Sequence, residues 1–232
     1  KINHTKKLLI ETGEVMELDF IFMKEQIPLF VKASILTLQI ALLGIAGSVL
    51  LGIINSIIIY YKIKILDKAV AVYVEVSRNT PLLIQIFFLY FGLPALGIKL
   101  SNYACALTGI IFLGGSYMTE AFRAGLESIE KVQIESGLSI GLSRNQLMRY
   151  VIFPQAFRIA LPATGANFIF LLKETSVVSA ISVAELLYTT NSLIAIYYKT
   201  YEMLFLLVIS YFILIGPLSF ILYITERRMK YD

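Results

Sequence analysis

The sequence predicts an all-α, polytopic membrane protein with about five transmembrane helices. Of the 232 residues, 58% are hydrophobic and only 16% are charged, and the apolar residues fall in long runs. A soluble domain typically has about 45–50% apolar and about 25% charged residues. Because a helix needs about 20 apolar residues to cross a bilayer, this length allows about four to six crossings and excludes a large soluble catalytic domain.

The residue counts also exclude several kinds of site. Cys105 and His4 are the only cysteine and histidine, which excludes an internal disulfide framework and a metal cluster built on these residue types. No GxxxxGK[ST] run occurs, so the chain has no phosphate-binding loop of its own. With no nucleophile–base pair either, we predict a chain that is not an enzyme and binds no cofactor or metal. The net charge of +4 fits basic loops at a membrane surface, and no nucleic-acid partner is expected.

Residues 1–27 are predicted to form an external tail that ends in an interfacial helix. Residues 1–14 are polar, and from Val15 to Ile27 apolar residues mix with charged ones, which is typical of a helix lying on a membrane surface. The remaining chain, 28–232, is predicted to be the transmembrane domain. Its five apolar spans are expected at residues 28–61, 78–93, 102–122, 157–172 and 201–224.

Two features predict how the first spans are built. Small residues recur every four positions in the first span, at Gly44, Ser48, Gly52 and Ser56. On a helix they share one face, so we expect them to pack closely against another helix. In the second span Pro81 removes a helical hydrogen bond, which predicts that a helix begins or kinks there.

Lysine and arginine predict the orientation. They gather in the segments that join the first span to the second and the third to the fourth, and again after the fifth. The positive-inside rule makes these segments cytoplasmic, which puts the N-terminus outside and the C-terminus inside. Glu75 and Arg78, and likewise Glu120 and Arg123, stand three residues apart and are expected to pair near the inner surface.

The segment 131–150 is expected to be cytoplasmic and to bind a partner. Gly137 and Gly141 are predicted to bracket a short turn of helix, with Ile140, Leu142 and Arg144 around it. Apolar side chains exposed on a loop indicate a docking surface. Composition alone leaves open whether a protein or the membrane surface docks there.

At this segment the sequence resembles a family. In permeases of ATP-binding-cassette (ABC) importers, a cytoplasmic loop carries the motif E-A-A-x3-G-x9-I-x-L-P. This chain has Glu135-Ser136-Gly137, then Gly141, then Val151-Ile152-Phe153-Pro154 at the same spacing. Serine and glycine replace the two alanines, valine the isoleucine and phenylalanine the leucine. Surrounding blocks, including SRNTPLLIQIFFLYFGLP, YMTEAFRAG and FPQAFRIALPATGANF, resemble the polar amino-acid uptake permeases of the histidine, glutamine, arginine and opine type.

The resemblance implies a fold, partners and a location. The fold would be that of a type I ABC importer permease in the cytoplasmic (inner) membrane of a bacterium. Two ATPase subunits carrying ATP and Mg²⁺ would dock on the coupling loop. A second permease chain, identical or paralogous, would complete the pore, and an extracytoplasmic binding protein would deliver a polar or charged amino acid. The residues expected to couple to the ATPase are Glu135, Gly137, Ile140, Gly141, Leu142 and Arg144.

Polar residues inside the predicted spans are the candidates for substrate contact, because polar groups within a membrane are costly. Gln85, Ser116 and Asn167 lie nearest the predicted bilayer centre, and their side chains have the polarity to bind the carboxylate and ammonium groups of an amino acid. Tyr117 is a secondary candidate. The alternative for Gln85 is a hydrogen bond between helices. The remaining two candidates lie deeper toward the cytoplasm and are expected to form an inner gate: Thr80 and Glu120.

Two other functions remain open at this point. A stand-alone secondary amino-acid transporter would need a titratable group in the membrane, and the sequence predicts no carboxylate at mid-depth. A membrane scaffold would use the docking segment but translocate nothing.

Overall fold

The computed structural model describes residues 7–9 and 15–231. Most of this chain is helical, which confirms the predicted all-α class. One short β pair precedes the helices, with β1 (Lys7–Leu9) antiparallel to β2 (Val15–Glu17). The rest of the predicted polar tail, residues 1–6 and 10–14, lies outside the described residues.

Nine α-helices follow in the described chain, some continued by short turns of another helical type. The first four are α1 (Phe20–Tyr60), α2 (Leu66–Asn79), α3 (Leu82–Phe87) and α4 (Asn102–Glu127). A π-helical turn (Phe88–Gly92) and a 3₁₀ turn (Leu93–Leu96) prolong α3. Then come α5 (Lys131–Ser139), α6 (Arg144–Leu147), a π turn (Met148–Ile152), α7 (Phe153–Glu174), a 3₁₀ turn (Thr175–Ile181), α8 (Leu186–Tyr197) and α9 (Thr200–Tyr231).

Four of these helical stretches are long and apolar enough to cross a membrane, and the bent pair α2–α3 makes a fifth. The prediction of about five spans is therefore confirmed. The fourth span is longer than expected, since α6, α7 and the turns beside them form one stretch from Arg144 to Ile181. Helix α8 lies between the fourth and fifth spans, where the sequence analysis expected a loop. It was not recognised because its twelve residues are too few to cross a membrane.

Helix α1 corrects the predicted start of the first span. Asp19 caps the helix by accepting a hydrogen bond from the Phe22 backbone N–H at 3.0 Å, and this bond lowers the pKa of the Asp19 carboxyl. The helix then runs through Pro28 without a break. A separate interfacial helix ending at Ile27 is therefore wrong as an element. The physical reason is that one proline removes one backbone hydrogen bond, which a long, well-packed membrane helix tolerates.

The predicted small-residue face of α1 packs against α4. A Cβ built on Gly44 would lie 2.5 Å from Ile110 Cγ2, and one built on Gly52 would lie 2.9 Å from the Met118 carbonyl carbon. Ser48 is fully buried, and its hydroxyl donates to the Gly44 carbonyl at 2.7 Å. The two backbones therefore approach as closely as small residues allow, which is how helices associate where lipid tails offer no hydrophobic driving force.

Helices α2 and α3 meet at a sharp break. Their axes differ by 106°, and between them Thr80 is extended and is followed by Pro81. The kink predicted at Pro81 is confirmed. The segment before it is a helix that the sequence analysis assigned to a basic loop, because its apolar run at residues 69–74 is only six residues long and too short for a span.

Gln85 holds this break together. Its side-chain amide donates to the carbonyls of Ser77 and Thr80, each at 2.9 Å. These carbonyls lie in the last turn of α2 and just after it, where a helix leaves its acceptors without intrahelical partners. The structure therefore shows the hydrogen bond between helices that was the alternative for Gln85, and the acceptors are backbone atoms on the other side of the break.

The ends of the bundle are closed by different interactions. At the end that carries α5 and α6, here called the coupling end, Ile129, Leu147 and Ile152 form a small apolar cluster. At the opposite end Lys199 lies 3.4 Å from Asp19 and 3.9 Å from Glu202, which joins the start of α1 to the start of α9.

We predict that Gly52→Ala destabilises the protein by about 1–3 kcal/mol, because the added methyl group meets Met118 and Thr119 backbone atoms that cannot turn aside. Thermal unfolding in detergent measures this. Gly47→Ala is the matched control. Its methyl group meets only the side chain of Ile111, which can change rotamer. Equal melting temperatures for the two variants would contradict the close α1–α4 contact.

We also predict that Gln85→Met, which keeps the volume and removes both donors, destabilises the α2–α3 break by about 1–3 kcal/mol, since two carbonyls lose their partner. Gln155→Met is the control, because within the described residues Gln155 donates only to the Val151 carbonyl, four residues earlier in the same continuous helical stretch. Limited proteolysis around residues 79–82 and thermal unfolding report the effect. An unchanged digestion pattern in Gln85→Met would show that the amide is dispensable.

Candidate functional site

A polar cavity of about 330 Å³ lies where α2 ends against α4. Its lining residues are Val74, Glu75, Arg78 and Asn79 from α2, and Tyr117 from α4. Tyr117 was among the predicted substrate-binding residues, whereas the four from α2 were not. The sequence signal that could have found them is Pro81, because breaks in membrane helices often mark binding sites.

Arg78 is the central cation of the cavity. Its guanidinium lies 5.1 Å from the centre of the Tyr117 ring, a cation–π contact, and its Nη1 is 3.5 Å from Glu120 Oε2. The predicted pair with Glu75 is wrong, because Arg78 turns toward α4 and pairs there. Glu75 instead accepts a hydrogen bond from the Asn79 amide at 3.0 Å.

Glu120 joins the cavity to a chain of charges that runs toward the coupling end. Arg123 donates two hydrogen bonds to the Glu120 carboxylate, at 3.0 and 2.9 Å, which confirms the predicted Glu120–Arg123 pair. Arg123 also donates to Glu127 at 2.7 Å. A bidentate guanidinium–carboxylate pair fixes both side chains in one geometry. The gating role of Glu120 and Thr80 stays a prediction, and the Thr80 carbonyl lies in the α2–α3 break.

The remaining predicted substrate residues use their polar groups on the protein itself. Ser116 is fully buried and donates to the Leu113 carbonyl at 2.6 Å. The Asn167 amide donates from α7 to the Tyr117 carbonyl at 3.3 Å. The Gln85 amide nitrogen is used at the α2–α3 break, and its oxygen Oε1 is buried with no hydrogen-bond partner among the described residues. Contact of these three residues with a substrate stays a prediction.

The predicted coupling segment folds as a helix, a turn and a second helix. Helix α5 is longer than the predicted turn between two glycines, and it contains Gly137. Gly141 has φ +89° and ends the helical path, a conformation that glycine adopts without strain. Ser143 then caps α6 in a capping box with Gln146.

Gly137 explains one departure from the family motif. A Cβ at this position would overlap Leu147 Cδ1 of α6. Leu147 is buried and belongs to the apolar cluster at the coupling end. Where the motif has alanine, glycine lets the Leu147 side chain of α6 lie directly on α5, and an alanine methyl group would force Leu147 to move.

The same segment exposes a surface that a partner can cover. Ile140 at the tip is 80% exposed, and Val132, Leu138 and Tyr150 are also exposed. Glu135 and Arg144 lie on its surface, while Leu142 is half-buried. A surface of this kind with apolar side chains at its tip is typical of a protein-binding site.

The structure also buries a carboxylate that the sequence analysis did not place. Glu185 is fully buried. Its oxygens accept from the Tyr188 N–H at 2.7 Å and from the Tyr211 hydroxyl at 3.4 Å. Tyr211 lies eleven residues into α9, about 16 Å along that helix. This carboxylate is enclosed because α8 folds back against the bundle, whereas the expectation that no carboxylate lies at mid-depth of the membrane stays a prediction.

Comparisons with known proteins identify the family. The family described as "binding-protein-dependent transport system inner membrane component" matches residues 44–231. The chain is 35% identical over 217 residues to the glutamine transport system permease protein of Escherichia coli (strain K12), which covers 93% of this chain and 99% of that protein. It is 38% identical over 176 residues to the probable glutamine ABC transporter permease protein of Bacillus subtilis (strain 168), covering 75% and 81%.

Solved structures agree with these relatives. A chain in the crystal structure of an amino acid ABC transporter with histidines superposes with a TM-score of 0.85 and 32% identity, covering 92% of this chain and 100% of that one. A chain of an inward-facing methionine ABC transporter has the same fold at 19% identity, with a TM-score of 0.74 over 88% of this chain and 98% of that one.

Family and fold together favour an importer subunit over a stand-alone transporter or a scaffold. They also agree with a non-catalytic, multi-pass protein of the inner membrane. The resemblance given by the coupling motif is thereby confirmed. The chain belongs to the family of inner-membrane components of binding-protein-dependent transport systems, the permease subunits of ABC importers.

Proposed function

We propose that this chain is the permease subunit of an ATP-driven importer for a polar amino acid, and that the substrate passes through the cavity at the α2–α3 break. The observation that carries the proposal is this polar cavity, where a guanidinium, a carboxylate and an amide line an opening between α2 and α4 of an otherwise apolar bundle. Two of the similar proteins are named for glutamine transport, which supports a small polar amino acid as the class of substrate.

The cavity has the chemistry to hold an amino acid loosely. Arg78 has only one ion-pair contact within the described residues, at 3.5 Å, so it retains N–H groups for a substrate carboxylate. Its cation–π contact with Tyr117 holds the guanidinium at the cavity wall, and a guanidinium can make a two-point contact with a carboxylate. We propose that Gln85 and Asn167 position the walls of this site, and that Ser116 is reached only if α4 moves.

The charge chain below the cavity suits a gate. Glu120 links Arg78 on α2 to Arg123 on α4, so a shift of α2 breaks the 3.5 Å contact while the bidentate pair holds. Thr80 lies in the extended break, where the backbone can change direction without disrupting a helix. We therefore propose that Thr80 and Glu120 act together at the inner side of the site.

Energy for transport would come from partner subunits. We propose that two ABC ATPases, which hold ATP and Mg²⁺, dock on the coupling segment 131–150. A second permease chain and an external binding protein would complete the importer. The coupling end then faces the cytoplasm, with the N-terminus outside and the C-terminus inside, as the basic residues predict. Because α6 continues into α7 through helical turns, a push on the segment would move the span directly.

We predict that Gly141→Leu abolishes co-purification of the ATPase while the permease still inserts in the membrane. The left-handed backbone at φ +89° disfavours any side chain, so the tip of the coupling segment would be remodelled. Gly97→Leu is the matched control, because Gly97 has φ +82° and equally open surroundings but lies outside the coupling segment. Glu135→Arg is expected to behave like Gly141→Leu.

A pull-down in mild detergent with quantified subunit ratios measures this. Wild-type ATPase recovery with Gly141→Leu and Glu135→Arg would remove the docking assignment. Loss of the ATPase with Gly97→Leu as well would trace the effect to general misfolding.

We predict that Arg78→Gln raises the KM for uptake of the transported amino acid by about tenfold or more and leaves the ATPase bound. A lost charge-assisted contact is typically worth about 1.5–3 kcal/mol. Arg78→Lys should restore part of the affinity, because it keeps the charge but not the planar stacking on Tyr117. The control is Arg158→Gln, which changes an exposed arginine on α7. The KM is measured by uptake into proteoliposomes that contain the complete importer. An unchanged KM in Arg78→Gln would show that the substrate does not bind at this cavity.

A further inference from the structure

We infer that the cavity at the end of α2 discriminates against acidic amino acids, so that the chain carries neutral polar or cationic amino acids, and that Glu75 is the residue responsible. This inference deepens the proposed function and rests on it. It follows from the balance of charges around the cavity and from how each charge is already used.

The cations near the cavity are largely occupied. Arg123 donates to both oxygens of Glu120 and to Glu127, so it has little capacity left and does not line the cavity. Arg78 shares Glu120 at 3.5 Å. The carboxylates of Glu75, Glu120 and Glu127 therefore outnumber the two guanidinium groups. Of the residues that line the cavity, only Arg78 has a positive charge.

Glu75 is the carboxylate left without a cation. It lines the cavity and forms no ion pair within the described residues, and its partner is the neutral amide of Asn79 on the same helix. A substrate bound through its α-carboxylate at Arg78 would bring its ammonium group or a cationic side chain toward Glu75. A glutamate or aspartate side chain would find no free cation and would face Glu75, and like charges in one site repel strongly.

The cavity is also small. Its volume of about 330 Å³ is at the lower end of typical ligand sites, which range over about 300–1,000 Å³. A volume of this size can hold a single free amino acid. Charge then becomes the main basis of selection among amino acids of similar size, such as glutamine and glutamate.

The test is equilibrium binding of radiolabelled L-glutamine, L-arginine and L-glutamate to the permease–ATPase complex in detergent. The soluble binding protein is left out, because it has a selectivity of its own. The wild-type complex should bind glutamine or arginine at least about tenfold more tightly than glutamate. Glu75→Gln should reduce that ratio to about threefold or less and weaken arginine binding.

Three further variants sharpen the result. Glu127→Gln removes the carboxylate that pairs with Arg123 outside the cavity, and should keep the wild-type ratio of glutamine to glutamate binding. Glu75→Asp keeps the charge and should do the same. Asn79→Asp adds a second carboxylate to the lining and should favour arginine over glutamine further.

An unchanged glutamine-to-glutamate ratio in Glu75→Gln, or equally tight glutamate binding by the wild type, overturns the inference and leaves the proposed function in place. If the wild-type complex binds none of the three amino acids and imports none when its binding protein is added, the proposed function fails as well. If Glu75→Gln does not assemble, the wild-type ratio and the Asn79→Asp shift still decide, and a wild-type ratio below about threefold overturns the inference.

Discussion

The close contact between α1 and α4 is the constraint on which the rest of the bundle depends. At Gly44 and Gly52 there is no room for a Cβ, because side-chain and backbone atoms of α4 fill that space. This contact fixes α4, and α4 then receives α2, since Tyr73 and Ser77 both donate to the Phe112 carbonyl, at 2.6 and 3.1 Å. The polar cavity exists because α2 is held at that point of α4 and ends there.

A break in a membrane helix leaves polar backbone groups that lipid cannot satisfy. Here Gln85 satisfies two of them, and the polar residues of the last turn of α2 gather around the cavity. The same feature thus has a structural cost and a functional use. The break ends α2 against α4, and it creates the place where a guanidinium, a carboxylate and an amide line one cavity.

The coupling segment is packed as one unit and leads directly into a membrane span. Gly137 lets α6 pack on α5 through Leu147, so the segment is held as one piece by the apolar cluster at its base. No irregular loop separates α6 from α7, because a π-helical turn joins them. A partner that pushes on the exposed tip around Ile140 would therefore move the segment and α7 together. Helix α7 is in turn joined to the cavity, because Asn167 donates to the Tyr117 carbonyl.

The sequence by itself determined the membrane class, the number of spans, the packing role of the α1 small residues, the kink at Pro81, the Glu120–Arg123 pair and the coupling motif. The first five are set by composition and by spacing within a single helix, which a sequence displays directly, whereas the coupling motif is known from its resemblance to ABC importer permeases. Only the tertiary structure decided which helix Arg78 faces, where α2 meets α4, and that Glu185 is buried. Such contacts join residues far apart in the chain, such as Arg78 and Glu120 or Glu185 and Tyr211, and depend on how whole helices cross, which no local pattern specifies.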